Sequence, residues 1–141
     1  MKSEVYESFG RDLLRGKFNL EGDVIMGMLV MGYFPDVVRH SVRSDVASEV
    51  HGSGYMSGGA VLCGQSVARD KAMRHPVFTA SPLVWPKVTV EATGVVLYKA
   101  NGNTRSDELI AYVDFGNPIR SMNGEFKVLW NKTGILALCL S

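Results

Sequence analysis

Three histidines, His40, His51 and His75, are the first residues to test for chemistry. Acyl transfer of the serine-hydrolase type needs a nucleophile, a base to take its proton and an acid to orient the base. Ser53 and Ser57 lie near His51, but in a polar, glycine-rich stretch rather than a strand–turn–helix elbow. Asp107, Glu108 and Asp114 are the acids that a glycosidase-like pair would draw on. Asp107 and Glu108 follow a turn signal, where solvated charges are normal. Asp114 alternates away from the apolar face Leu109–Phe115 and is expected to be exposed or paired. Cys63 and Cys139 each stand in an apolar stretch and are expected to be buried as small hydrophobes. No CxxC or HxxH spacing supports a metal site. These residues point to no catalytic group, no cofactor and no metal.

The glycine-rich stretch Gly52-Ser53-Gly54-Tyr55-Met56-Ser57-Gly58-Gly59 is the next candidate. It lacks the Lys-Ser/Thr pair of a phosphate-binding loop and opens no long helix, so it does not read as a nucleotide site. It reads as a loop with several positive φ angles, either structural or in contact with a partner. Trp85 lies between Pro82 and Pro86. Three uses are open to it: packing at a strand end, an anchor in a protein interface, or a platform for a sugar.

The elements that must position these residues follow from the apolar pattern. Tyr6, Phe9, Leu13 and Leu14 recur at helical spacing, with Ser3 as an N-cap and Gly16 as the terminator. The span 1–16 is therefore expected as a short helix. Residues 23–31 form a continuous apolar run, a strand covered on both faces. Tyr33-Phe34-Pro35-Asp36 breaks it with a turn, and a helical turn capped by Ser44 fits between Ser44 and Val50. Strands follow at 60–68 and 72–80, joined by the polar turn Arg69-Asp70-Lys71. Pro76 suggests an edge or a bulge in the second. Val88, Val90 and Ala92 alternate toward the core, and 95–99 continues as strand. Asn101-Gly102-Asn103 is a turn. Leu109, Ala111, Val113 and Phe115 share one face of a strand that Gly116-Asn117-Pro118 ends. Phe126, Val128 and Trp130 share a face of the next. Residues 135–140 are apolar throughout and read as a central strand. The fold class is mainly β, a sandwich of about seven or eight strands over 23–141 behind the helix, in a single domain 1–141.

Composition narrows the function classes. The formal net charge of +1 argues against a protein that binds nucleic acid by neutralising many phosphates. The uncharged run 24–35 is too short to span a bilayer, which takes about 20 residues, and the start lacks the apolar stretch of a signal peptide. Synthesis in the cytoplasm without a membrane anchor is the expectation, which makes the glycosylation-like Asn131-Lys132-Thr133 uninformative.

Several stretches carry a resemblance. They are Gly22-Asp23 before an apolar strand, Tyr33-Phe34-Pro35-Asp36 and Arg43-Ser44-Asp45-Val46. The strongest are Glu49-Val50-x-Gly52-x-Gly54-Tyr55-x-x-Gly58-Gly59-Ala60 and Tyr112-Val113-Asp114-Phe115-Gly116, with Leu97-Tyr98-Lys99 and Gly134-Ile135-Leu136 beside them. Over nearly its whole length the chain resembles short virion proteins of tailed bacteriophages, the group that includes head decoration, cement and tail-adaptor proteins. Length and β content are similar to the jelly-roll cement proteins of short-tailed phages. The resemblance implies a jelly-roll-like sandwich on the capsid exterior, with the major capsid protein as partner and no enzymatic activity. A tail or neck adaptor and a carbohydrate-binding module for host attachment are the alternatives. Gly52, Gly54, Tyr55, Gly58, Gly59 and Trp85 are the candidate shell-contact residues. Tyr6, Phe9 and Leu13 are candidates for self-contact in a homodimer, the alternative being that the helix packs on its own sandwich.

Overall fold

A computed structural model of the chain describes residues 2–69 and 75–139. Asp70 and Lys71 of the expected turn, residues 72–74 of the expected strand after it, and Leu140 lie outside the described residues. The fold is organised by one long hairpin, β6 (Leu83–Lys99) and β7 (Glu108–Val128), closed by the Asn101–Asn103 turn region. β6 continues through 95–99 as expected, whereas β7 joins two segments that the sequence pattern separates. Gly116-Asn117-Pro118 does not end β7, because pairing with β6 resumes at Ile119 and runs on to Val128, although β1 pairs with β7 only as far as Asp114. Pro118 falls in the irregularity between the Ala92–Ile119 and Gly94–Asp114 pairs of the β6–β7 ladder, where proline is tolerated.

The hairpin is the middle of a five-stranded antiparallel sheet in the order β1 (Lys2–Val5), β7, β6, β2 (Ile25–Val30), β3 (Ala60–Val61). A second antiparallel sheet has the order β4 (Ser66–Arg69), β5 (Pro76–Thr79), β8 (Leu136–Ala137). The molecule is thus mainly β, eight strands in two sheets of a sandwich with one short helix near the N-terminus, α1 (Glu7–Leu14). Alternation along the strands sorts the side chains into two clusters. Ile25, Leu29, Val95, Leu97 and Val113 join Phe78 of the small sheet and Phe9 of α1 between the layers. Met28, Val30, Val96, Tyr98 and Tyr112 lie on the other face of the large sheet under the loop that follows β2. Val88, Val90 and Ala92 are buried together, as their alternation implies.

Several expectations are corrected. Residues 2–5 are a strand and not the start of the helix, and Tyr6 rather than Ser3 is the N-cap; the open edge of β7 recruits them, and sheet pairing overrides a local cap. Leu14 is 87% exposed, so the helical stripe stops at Leu13. Leu109 does not share a face with Ala111, Val113 and Phe115. Leu97 opposes Ala111 while Tyr98 opposes Leu109, which leaves Ile110 as a bulge and reverses the phase. The apolar 135–140 run is not a central strand: β8 is a two-residue edge of the small sheet, and Leu138 is 47% exposed. Both cysteines are exposed, Cys63 between β3 and β4 and Cys139 beyond β8. Gly16 ends α1 as expected, at φ +79° with its N–H on the Leu13 carbonyl. The helical turn after Ser41 is shorter and earlier than expected, a 3-10 turn over Arg43–Asp45. Pro76 is the first residue of β5, the middle strand of its sheet, a position that tolerates proline.

Candidate functional site

The glycine-rich loop begins and ends on the edge of β2. Glu49 bridges to Val30, and Ala60 pairs with Gly27. Between them the chain leaves the sheet and lies along β6. The Thr89 N–H donates to the Ser53 carbonyl at 2.9 Å. A methyl group at Gly52 would overlap the Thr89 carbonyl oxygen, and one at Gly54 the Lys87 carbonyl oxygen. At Gly59, with φ +87°, it would overlap the Gly27 carbonyl. These glycines thus permit close approach, but the backbone they approach is the chain's own.

A set of mostly part-buried polar groups fastens the loop. The Glu49 carboxylate accepts from the Tyr55 hydroxyl at 2.7 Å, the Gly58 N–H at 2.7 Å and the Ser57 hydroxyl at 3.1 Å. The Tyr55 hydroxyl in turn accepts the Leu29 N–H at 3.0 Å. The Tyr98 hydroxyl donates to the Gly58 carbonyl at 2.6 Å. Arg43 lies between two acids, 3.6 Å from Glu49 and 3.5 Å from Asp107, with its guanidinium 5.2 Å from the centre of the Tyr98 ring. Asp107 is only 4% exposed, contrary to its expected solvation, and also accepts the Asn101 N–H at 2.7 Å. A buried charge needs this kind of pairing to be tolerated. Burial, and then the neighbouring Glu49 carboxylate, push the Tyr55 phenol far above its ordinary range. Burial also pushes Tyr98 up to about 12, although Arg43 pulls the other way.

Tyr55 and Trp85 are brought together, with ring centres 6.0 Å apart, and Phe126 meets Trp85 edge-on at 6.1 Å. Trp85 is 5% exposed, so of its three uses the structure selects packing. Of the residues expected in self-contact, Tyr6 and Phe9 are buried in the chain's own core and Leu13 is half-buried against it. The polar candidates do not form a catalytic set. Ser57 is bonded to Glu49, Ser53 contributes its carbonyl to Thr89, and His51 is exposed. Asp114 accepts the Gly116 N–H at 2.8 Å. Among the described residues no group of three His, Cys, Asp or Glu side chains is placed to hold a metal ion, and no helix is long and apolar enough to cross a membrane.

Two features were not among the candidate site residues read from the sequence. The first is the loop after β2. The Tyr33 hydroxyl is 2.8 Å from the Tyr6 hydroxyl and 2.8 Å from His40 Nδ1. Asp36 Oδ1 accepts the Val38 and Arg39 N–H groups, and the Glu7 N–H donates to the Val37 carbonyl at 2.9 Å. This fixed loop leaves Phe34 89% exposed at its tip. The second is an apolar pocket of about 420 Å³ between α1 and the small sheet, lined by Phe9, Gly10, Leu13, Phe18, Phe78 and Leu136 among others. The signal for the first was the Tyr-Phe-Pro-Asp turn, with two aromatic residues side by side where one suffices to fill a core position. No family model, curated protein or solved structure matches the chain.

Proposed function

We propose that the chain is a virion structural protein of a tailed bacteriophage that binds the outside of the capsid shell, against the major capsid protein, and cements it. The reading starts from the resemblance of the Glu49–Ala60 and Tyr112–Gly116 stretches. The observation that carries it furthest is what the first stretch does: Glu49, Tyr55, Gly58 and Gly59 are tied into the chain's own sheet by hydrogen bonds and close backbone contact. The motif serves rigidity. A clamp across capsomer joints gains from a body that loses little freedom on binding, because ordering costs subtract directly from affinity. Internal pressure from packaged DNA then has to break added interface area before the shell ruptures, and shape complementarity with apolar anchors is the chemistry required.

On this reading the buried Trp85 and the hydrogen-bonded Tyr55 and Gly58 support the body, and the exposed part of the loop, with Met56 78% exposed, stays open to contact. The test is binding of purified protein to heads stripped of accessory proteins, read as occupancy and as resistance of the heads to rupture. Saturable binding over the whole head surface with raised rupture resistance is expected. Binding restricted to the portal vertex would favour the tail or neck adaptor, and no binding to heads would overturn the proposal.

A further inference from the structure

We infer that copies of the chain join head to tail, the Phe34 tip of one entering the pocket between α1 and β5 of the next. Phe34 is the only aromatic residue among the exposed large hydrophobic residues described, and the adjoining Val38 is 73% exposed. Isolated apolar side chains on a surface are ordinary; an aromatic residue at the tip of a stapled loop is a prepared anchor. The residue before it, Tyr33, is buried and held by Tyr6 and His40, and the Asp36 side chain closes the turn behind it. Aromatic anchors on ordered backbone are the residues that dominate interfaces.

The receptor for such an anchor is on the same chain. The pocket of about 420 Å³ is walled by Phe9, Phe18, Phe78 and Leu136 and can accept a phenyl ring with an adjoining side chain. Gly10 is part of its wall. Glycine inside a helix costs about 1 kcal/mol relative to alanine, and a Cβ placed there would meet nothing within 4 Å. The helix therefore leaves space at a position where its own core needs none.

The two features cannot satisfy each other within one molecule. Tyr33 and Val37 hold the Phe34 loop over the face of the large sheet that carries Tyr98 and Tyr112, whereas the pocket opens on the side of Phe9 and Phe78. Knob and hole on opposite faces make a heterologous contact, which closes into a ring or grows as a chain. The helix stripe offers no such contact, because its Tyr6 and Phe9 are buried in the chain's own core. The head-to-tail contact deepens the proposed function by naming the self-contact of a protein that acts in many copies, and it rests on that reading only for its purpose.

The test is sedimentation velocity of the full chain over a wide range of concentration. Wild type is expected to self-associate. Phe34→Asp removes the knob and Gly10→Leu fills the hole, and each is expected to stay monomeric while melting at or above the wild-type temperature. Ala137→Trp, on the exposed pocket wall, is a second hole-filling variant if Gly10→Leu does not fold. A mixture of Phe34→Asp with Gly10→Leu retains one intact knob and one intact hole, so it is expected to form one-to-one pairs and nothing larger. Monomeric wild type overturns the inference, as does self-association that both variants leave intact. Neither result touches the head-binding measurement, so the proposed function fails or stands separately.

Discussion

Glu49 Oε2 and the Tyr55 hydroxyl lie 2.7 Å apart, and the same hydroxyl receives the Leu29 N–H from β2. One phenol thus closes a polar path from the glycine loop to the edge of the large sheet, while its ring rests beside Trp85. Tyr55→Phe keeps the ring and removes the oxygen, leaving a backbone donor and a partly buried carboxylate lone pair short of a partner. Unsatisfied buried groups cost about 1–3 kcal/mol. Urea unfolding should show a loss of that size, and an unchanged midpoint would remove the lock from the account.

Trp85→Ala should act on the free protein. A buried aromatic residue cut to alanine costs about 3–5 kcal/mol, a large part of a typical total of about 5–15 kcal/mol. Thermal melting of the isolated variant should fall sharply. A variant that melts like wild type yet fails to occupy heads would return Trp85 to the interface.

Two glycines with positive φ should respond differently to alanine. At Gly102, φ +107° with open space around it, only backbone strain is added, about 1–3 kcal/mol. At Gly59 the same strain is joined by overlap with the Gly27 backbone, which belongs to a central strand. Gly59→Ala should therefore be much the more destabilised in parallel unfolding curves. Equal losses would mean that the loop does not press on β2.

All five tyrosines titrate above the ordinary phenol value, in each case chiefly because burial disfavours the phenolate. A folded-state value raised above the unfolded one of about 10 contributes stability that is whole below pH about 10. That stability is lost as pH rises through the folded value, which for Tyr98 is about 12. The tyrosinate absorbance should thus appear in one cooperative step together with loss of the fold on the alkaline side. Five independent titrations near the free phenol value, with the fold intact, would contradict this burial.

Much of the architecture was legible in the residues because it rests on strict alternation. Val88, Val90 and Ala92 face inward as read, and the two-faced run around Met28 and Leu29 is an inner strand. What was not legible has particular causes. The bulge at Ile110 reverses Leu109 without any mark in composition, since every residue there is apolar. Lys2–Val5 carries a helix-like cap signal that pairing with β7 overrides. The 135–140 run is apolar on both sides yet joins a sheet too small to cover it. At the candidate site Glu49 and Tyr55 were visible as parts of a motif. The Arg43–Asp107 pair was not, because it spans the chain and is set by the isolated bridge between Val42 and Glu108. Truncation after Gly134 is a check on that revised edge. Losing half-buried Ile135 and Leu136 should cost only part of their full burial value of about 1.5–3 kcal/mol each, and cooperative unfolding should survive. A truncated chain with no cooperative transition would restore the central-strand assignment.

The central claim is the place of the protein on the shell, and a cryo-EM map of the intact particle that carries it is the most direct measurement. The account predicts density for this sandwich on the outer surface across capsomer joints, repeated over the head. Density confined to the neck or tail, or a particle in which the protein has no ordered position, would contradict it.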